Sequence, residues 1–173
     1  MAEELPEIPD HVKAWIGEEL TEDVSDFAIE KGHIETNASS VQWDNPLYWD
    51  DEVAKELTDG QICPPTMLSV WLRPHHWAPG RTKELLPLSV HFDLKREMNL
   101  REAIITANEL TFGEPVRPGD TLTSKQTLVS ISEPKRNKLG LGRYWVIDVV
   151  FTNQHGEWVG TDSYNCFGYR RDT

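Results

Sequence analysis

The sequence of 173 residues predicts a single α+β domain, and two observations carry that prediction. Residues 104–169 contain four runs rich in β-branched and aromatic residues, separated by turn residues such as Pro118-Gly119-Asp120. Residues 11–73 instead place apolar residues at helical spacing behind capping residues. Helices followed by consecutive strands are typical of a domain in which helices cover one face of an antiparallel sheet.

The N-terminal half is predicted to be mainly helical. Asp10 is a suitable N-cap for a helix over residues 11–20, and a short strand over residues 27–30 is predicted to follow. A second helix is expected over residues 33–41, before the turn at Asn45-Pro46. Asp50 or Asp51 caps a third helix, which Asp59-Gly60 ends.

The central part of the chain combines a buried helix with a long connection. Apolar residues point almost all round the segment Pro64–Arg73, so it is predicted to be a buried helix that Pro74 limits to about two or three turns. Residues 75–101 are expected to be irregular, and a connection of that length is usually functional. The predicted strands follow, at Ile104–Phe112, Thr121–Ile131, Tyr144–Thr152 and Trp158–Tyr169.

Composition excludes several classes of function. The chain has 17 Lys and Arg against 29 Asp and Glu, a formal charge of −12, which disfavours binding to nucleic acid or to an anionic membrane surface. It has no apolar run long enough for a transmembrane helix, and its acidic N-terminus does not resemble a secretory signal. Cys63 and Cys166 lack metal-site spacing, so we expect two buried thiols, no metal, no cofactor and a cytoplasmic location.

Three local strings, taken in order, resemble the MaoC-like hydratase and dehydratase superfamily. They are residues 44–49 (DNPLYW), 60–66 (GQICPPT) and 112–122 (FGEPVRPGDTL). The closest pattern is the N-terminal, fatty-acid-synthase-like dehydratase domain. The resemblance implies a hotdog fold, in which a curved antiparallel sheet wraps around a short central helix, here about Pro64–Arg73. It places the hotdog domain at residues 27–170, after an N-terminal arm and helix (1–26) and before a short tail (171–173).

The resemblance also shows that both catalytic residues of the family are missing. In that family, an Asp and a His that flank an Asn-Pro dipeptide orient the water that adds to a trans-2-enoyl thioester. Aligning the motif on Asn45-Pro46 puts Trp43 at the Asp position and Tyr48 at the His position. Trp has no proton-accepting side chain, and Tyr is a poor base at neutral pH because its ordinary pKa is near 10. Asp44 is predicted to stabilise the turn.

The expected oxyanion site is weakened as well. Family members hold the thioester oxygen with a backbone N–H at the start of the central helix. Pro64 and Pro65 stand at early positions there and have no N–H group, although Cys63 and Thr66 could still donate.

Two further features bear on the substrate. A helix ended early by Pro74 leaves room for a bulky acyl group, as in the non-catalytic subunits of steroid side-chain hydratases that the chain resembles. The alternative is that residues 75–101 refill this space. His75 and His76 are expected at the C-terminal end of the central helix or at the pocket rim. Four cations lie within nine residues, around two glycines, and could contact the phosphates of coenzyme A or simply be solvated: Lys135, Arg136, Lys138 and Arg143.

The resemblance therefore implies a non-catalytic, pocket-forming subunit of a heteromeric enoyl-CoA hydratase or 3-hydroxyacyl dehydratase. A MaoC-like partner would supply the Asp and His, and the substrate-binding residues expected in this chain are Tyr48, Cys63, Thr66, His75 and the four cations. Three alternatives remain: an active homomeric hydratase with a rewired base, a hotdog thioesterase using Asp59, and a hotdog scaffold without chemistry. Fold alone does not choose between them.

Overall fold

A computed structural model describes residues 5–73, 75, 77–82 and 86–171. Five α-helices and six strands occur in these residues. The helices are α1 (Asp10–Lys13), α2 (Lys31–Ser40), α3 (Asp51–Thr58), α4 (Leu68–Trp71) and α5 (Ser89–Glu97), and the strands are β1 (Glu19–Val24), β2 (Glu102–Phe112), β3 (Leu122–Ile131), β4 (Lys135–Asn137), β5 (Gly140–Asn153) and β6 (Trp158–Arg170). Short 3-10 turns at Pro46–Tyr48 and Pro65–Met67 precede α3 and α4.

The strands form one antiparallel sheet in the order β1-β3-β5-β6-β2, and β4 pairs with β5 in a hairpin. The four predicted strands are confirmed as β2, β3, β5 and β6, each within a few residues of its expected ends. On β5, alternate side chains are buried, among them Trp145, Ile147, Val149 and Phe151. This period-2 pattern gives the sheet one apolar face, against which the helices pack.

The central helix lies on this buried face of the sheet. A Cβ added to Gly160 of β6 would lie 2.6 Å from the Cδ2 atom of Leu68, so the glycine permits the close approach of α4. The helix is shorter than predicted. Only Leu68–Trp71 is α-helical, after the 3-10 turn, because the two prolines limit the backbone hydrogen bonds available at its start. Pro74, the predicted stop, lies outside the described residues.

Helix α3 forms as predicted from its caps. The Asp50 side chain accepts hydrogen bonds from the backbone N–H groups of Glu52 and Val53, and Asp59 ends the helix in a left-handed conformation with φ of 54°. Helix α2 also agrees with the prediction to within two residues.

The N-terminal predictions are wrong in two places. The helix expected over residues 11–20 ends at Lys13, and Leu20 lies in β1, which pairs with β3 from Glu19 to Val24. The strand expected at residues 27–30 does not form, because these residues connect β1 to α2. The sheet thus includes residues before 27, the predicted start of the hotdog domain.

The connection over residues 75–101 contains a helix that the sequence did not predict. Helix α5 buries Val90, His91 and Leu94, and its first turn is held by Gln126 of β3, whose side chain accepts from the Val90 N–H at 3.3 Å. Trp145 of β5 lies under this helix, with its ring centroid 5.5 Å from that of His91.

Candidate functional site

The Asn-Pro motif forms the 3-10 turn at Pro46–Tyr48. The Asn45 side chain accepts a hydrogen bond from the Leu47 N–H at 3.1 Å and fixes the turn. Trp43 is partly exposed, whereas Tyr48 is packed in the core with only 3% of its surface exposed, and their ring centroids are 4.7 Å apart. Burial, together with the nearby Cys63, raises the pKa of Tyr48. Tyr48 therefore stays protonated at neutral pH and cannot act as a base on a bound water.

The surface beside this motif is an open groove rather than a pocket. Trp43, Asp44 and Trp49 line it, and the indole N–H of Trp49 donates to the Trp43 carbonyl at 2.8 Å. Of the two residues at the catalytic positions, Trp43 reaches this groove and Tyr48 does not line it.

The two expected oxyanion donors are placed differently. The Cys63 N–H donates to the Val116 carbonyl at 2.7 Å, so it joins the central helix to the strand-turn-strand segment and is not available to a ligand. Burial raises the pKa of the Cys63 thiol to about 12, which keeps it protonated and unreactive. Thr66 lies exposed in the 3-10 turn. The role predicted for Cys63 as a backbone donor is wrong, because its N–H is already bonded to the Val116 carbonyl. The role predicted for Thr66 stays a prediction.

A cavity of about 380 Å³ lies beside the central helix. We call it the inner cavity. Its walls come from α4 and the residues after it, from the buried face of the sheet, and from residues 86–92; they include Ser69, Leu72, Arg73, Leu86, Pro87, Phe92, Ile105, Ser124, Val149, Phe151 and Tyr164. The residues described in the long connection thus form one wall and leave the space beside the helix open. Apolar walls with a few polar groups are typical of a small-molecule site.

One wall of the inner cavity is polar. The Tyr164 hydroxyl donates to a carboxylate oxygen of Asp162 at 2.5 Å, and the side-chain amide of Asn108 donates to the other oxygen. Asp162 is only 1% exposed. Burial and the hydrogen bond to Asp162 raise the pKa of Tyr164 far above its ordinary value, so the hydroxyl remains a donor. Ser69 and Tyr164 both line the cavity.

An ion pair stands at the rim of the inner cavity. The Arg81 guanidinium contacts Asp26 at 2.8 Å, and it also donates to the His75 carbonyl. The hydrogen bond from Arg81 lowers the pKa of Asp26. His75 is exposed beside this pair, with its Nδ1 3.8 Å from a carboxylate oxygen of Asp26, and its role in substrate binding stays a prediction. His76 lies outside the described residues.

The cation-rich segment divides into two parts. Lys135, Arg136 and Lys138 are exposed on the β4–β5 hairpin, as a contact with phosphates would require. Arg143 is buried, and its guanidinium donates to the carbonyls of Ser132 and Pro6 at 3.0 and 3.1 Å. Arg143 is therefore neither solvated nor exposed with the other three cations, because β5 turns it inward, where it holds the N-terminal arm.

The remaining candidates serve the fold. Asp59, the carboxylate considered for a thioesterase, is exposed at the end of α3 and is paired with Lys55, which lowers its pKa. In the described part of the chain, no three His, Cys, Asp or Glu side chains come together as metal ligands. No helix there has both the length and the hydropathy needed to cross a bilayer.

Sequence reasoning missed the polar wall of the inner cavity. Asp162 and Tyr164 share the inward face of β6 with the buried Cys166, and an Asp at such a position is the one signal that could have indicated a buried carboxylate. Arg81, Asp26 and Ser69 carried no recognisable spacing.

Comparison with known proteins agrees with this architecture. The family model described as "FAS1-like, dehydratase domain region" matches residues 14–162. A curated relative, the probable enoyl-CoA hydratase alpha subunit of Thermomonospora curvata, is 24% identical over 168 residues, which cover 92% of this chain and 51% of the relative. The chain therefore spans about half the length of that protein.

Solved structures show the same fold. The ChsH1-ChsH2 complex from Mycobacterium tuberculosis matches with a TM-score of 0.77 and 21% identity over 94% of this chain and 89% of the matched chain. The MaoC-like dehydratase from Rhodospirillum rubrum matches with a TM-score of 0.59 and 21% identity over 91% of this chain and 100% of that chain. The HadBC 3R-hydroxyacyl-ACP dehydratase complex from Mycobacterium tuberculosis matches with a TM-score of 0.56 and 19% identity over 86% of this chain and 95% of the matched chain. Because the matched model covers most of the sequence, this chain belongs to the FAS1-like dehydratase family and has the hotdog fold of MaoC-like dehydratases.

Proposed function

We propose that this chain is the non-catalytic, pocket-forming subunit of a heteromeric enoyl-CoA hydratase or 3-hydroxyacyl dehydratase. The observation that carries the proposal is the state of the motif: Trp43 and Tyr48 replace the Asp and His, and Tyr48 is packed in the core. At the two motif positions, neither Trp43 nor Tyr48 could act as the base on a water bound in the groove. The names of the similar proteins support a partner, because two of the matched structures are complexes of two different subunits.

The inner cavity supports the pocket-forming part of the proposal. The short central helix leaves a space of about 380 Å³ with mostly apolar walls, which suits a bulky acyl group carried by coenzyme A. A polycyclic acyl group such as a steroid side-chain thioester is the finer form of this proposal. The exposed cations of the β4–β5 hairpin are the proposed contacts for the phosphates of coenzyme A.

The edge strand β2 is the proposed contact with the catalytic partner. It pairs only with β6 on one side, and it exposes Ile104, Ile105 and Phe112. An apolar edge strand is otherwise an aggregation hazard, which pairing with a partner's strand would remove. Ile105 also lines the inner cavity, so a partner on this edge would lie directly beside it.

The test is a hydration assay with and without a partner. The purified chain is given enoyl-CoA thioesters with short, long and polycyclic acyl groups, alone and after co-expression with a MaoC-like subunit that keeps its Asp and His. We expect loss of the enoyl absorbance only in the mixture, and none when the partner's catalytic His is replaced by Ala. Activity of the chain alone would overturn the proposal and favour a homomeric hydratase with a rewired base.

A matched pair of variants tests the interface. Ile104 on β2 and Val129 on β3 have similar exposure, 37% and 42%, but β3 lies between two other strands. We expect Ile104→Lys to abolish co-purification with the partner and Val129→Lys to leave it intact. Equal co-purification of the two variants would exclude the β2 edge as the interface.

A further inference from the structure

One wall of the inner cavity comes from the long connection and is tied to the sheet by a single polar side chain. We call residues 86–92 the wall segment. Leu86, Pro87, Leu88 and Phe92 line the cavity from this side. Leu86 and Phe92 are exposed, whereas Leu88 is buried, so the wall segment lies between the core and the outside of the molecule. A shift of this segment would therefore change the width of the cavity.

The side chain that ties the wall segment to the sheet is Gln126 of β3. Its oxygen accepts a hydrogen bond from the Val90 N–H at 3.3 Å, and its NH2 group donates to the Pro87 carbonyl at 3.5 Å. Gln126 is fully buried, and a buried amide is costly unless both of its ends are bonded. Among the described residues, no other side chain forms hydrogen bonds between the wall segment and the sheet.

The bond to Val90 takes the place of a helix cap. Helix α5 begins at Ser89, and the side chain of its N-cap residue, Leu88, cannot accept from the free N–H groups of the first turn. A capping oxygen normally accepts from the second or third residue of a helix, and Val90 is the second. Because the Gln126 oxygen accepts from this N–H, strand β3 determines where α5 begins.

Gln126 also lies beside the part of the sheet that forms the cavity floor. On the buried face of β3 it follows Ser124, and across the sheet it pairs with Val149 of β5; both of these residues line the cavity. Apolar packing of α5 on the core is non-directional, whereas a pair of hydrogen bonds fixes a position. Gln126 therefore fixes the distance between the cavity floor and the wall segment.

We propose that Gln126 is a positioning residue that determines which acyl groups the inner cavity accepts. It holds the wall segment in place before a ligand arrives, so a bulky acyl group does not have to order this segment when it binds. A short acyl group fills only a small part of the cavity and gains little from the wall. The inference rests on the proposed function, because it takes the inner cavity to be the acyl site.

The test measures binding to the purified full chain, so that it is independent of hydration activity. Isothermal titration uses two saturated thioesters, butyryl-CoA and the polycyclic cholanoyl-CoA. Gln126→Met keeps the length of the side chain and removes both hydrogen bonds. We expect it to weaken cholanoyl-CoA binding about tenfold and to leave butyryl-CoA binding unchanged, because the bulky ligand must now order the wall segment. Hydrogen exchange of the Val90 amide should become faster in the same variant.

A matched control separates positioning from a general loss of stability. Gln154 also bonds through both ends of its side chain, because it accepts from the Thr121 N–H at 3.0 Å and donates to Asp120 at 2.9 Å. It does not line the inner cavity. Gln154→Met should therefore leave the ratio of the two affinities unchanged.

A conservative variant should restore the tie in one protonation state. In Gln126→Glu, a protonated carboxyl group can still accept from Val90 and donate to Pro87, whereas an ionised one can only accept. Burial raises the pKa of such a carboxyl group. We expect the affinity ratio to match the wild type at about pH 6 and Gln126→Met at about pH 9. The wild type at the same pH values controls for titration of the neighbouring His91.

Four results would overturn the inference. They are an unchanged affinity ratio in Gln126→Met, unchanged exchange of the Val90 amide, an equal fall of the ratio in Gln154→Met, and a Gln126→Glu ratio that varies with pH no more than that of the wild type. Failure of both thioesters to bind the wild-type chain would also overturn it. If the mixture with the catalytic partner still hydrates enoyl-CoA in any of these cases, the proposed function stands without this role of Gln126.

Discussion

Replacing Arg143 by methionine separates a structural role from coenzyme A binding. The sequence grouped Arg143 with three exposed cations, but its side chain is only 6% exposed and donates to two carbonyls from distant parts of the chain. Ser132 precedes the β4–β5 hairpin, and Pro6 belongs to the N-terminal arm. Methionine keeps the apolar stem of the side chain and removes only the charged donors.

The expected loss of stability follows from those two bonds. A hydrogen bond from a charged donor contributes about 1.5–3 kcal/mol when its partner is buried. Because the arm and the hairpin loop are partly solvated, we expect each of the two bonds to contribute at the lower end of this range. We therefore expect the free energy of unfolding to fall by about 3 kcal/mol, which lowers the Tm of a domain of this size by roughly 6–12 °C. The arm should also become a site of rapid proteolysis.

The assay is urea unfolding of Arg143→Met beside Lys138→Met, together with titration of coenzyme A. Lys138 is exposed in the hairpin, so its replacement should change stability by less than about 0.5 kcal/mol. If coenzyme A binds through the hairpin, Lys138→Met should weaken it and Arg143→Met should not. An Arg143→Met protein of unchanged stability that binds coenzyme A less tightly would refute the structural role.

Three more predictions concern the buried face and the motif. Burial lowers the pKa of His91, so the unfolded chain takes up a proton near pH 6.5 before the folded one does. Stability should therefore decline as pH falls from about 7 to 5, by up to about 1.4 kcal/mol per pH unit, and His91→Phe should flatten this slope in urea titrations. Gly168→Ala would put a methyl group 2.2 Å from the Cη2 atom of Trp145, and should cost about 1–3 kcal/mol or more in the same assay; a neutral result would mean that the ring can move. The double change Trp43→Asp and Tyr48→His should give the lone chain no hydration activity, because position 48 is buried; measurable turnover would show that the core opens there.

The sheet was predictable because its pattern is local. Strands β3 and β5 alternate buried and less buried residues along most of their length, and β6 is rich in aromatic residues, so these patterns and the turn residues between them located the strands. Strand β1, with the sequence ELTEDV, has little apolar content and exists because β3 offers it a partner. Helix α5 lies in a segment rich in Pro, His and charge, so its local sequence does not indicate a helix. Its buried side chains are covered only when the helix packs against Trp145 and its first turn bonds to Gln126.

The functional site was predictable where chemistry depends on residue identity. A Trp and a Tyr in place of an Asp and a His exclude the family's base wherever their side chains lie. The direction in which a side chain or an N–H group points, and how deeply it is buried, could not be predicted from the sequence. Cys63 gives its N–H to Val116, and Arg143 turns inward. Neither fact follows from spacing, because each partner lies far away in the chain or in another element.

By itself, the sequence determined the α+β class, the order of the main strands, the family resemblance and the loss of both catalytic residues. The tertiary structure alone decided that a cavity remains beside the central helix, that Ser69 and Tyr164 line it, and that Tyr164 and Asn108 donate to the buried Asp162. The physical reason is the origin of these residues. They come from α4, β2 and β6, so only the packing of the helix on the sheet brings a buried carboxylate, its donors and a cavity together.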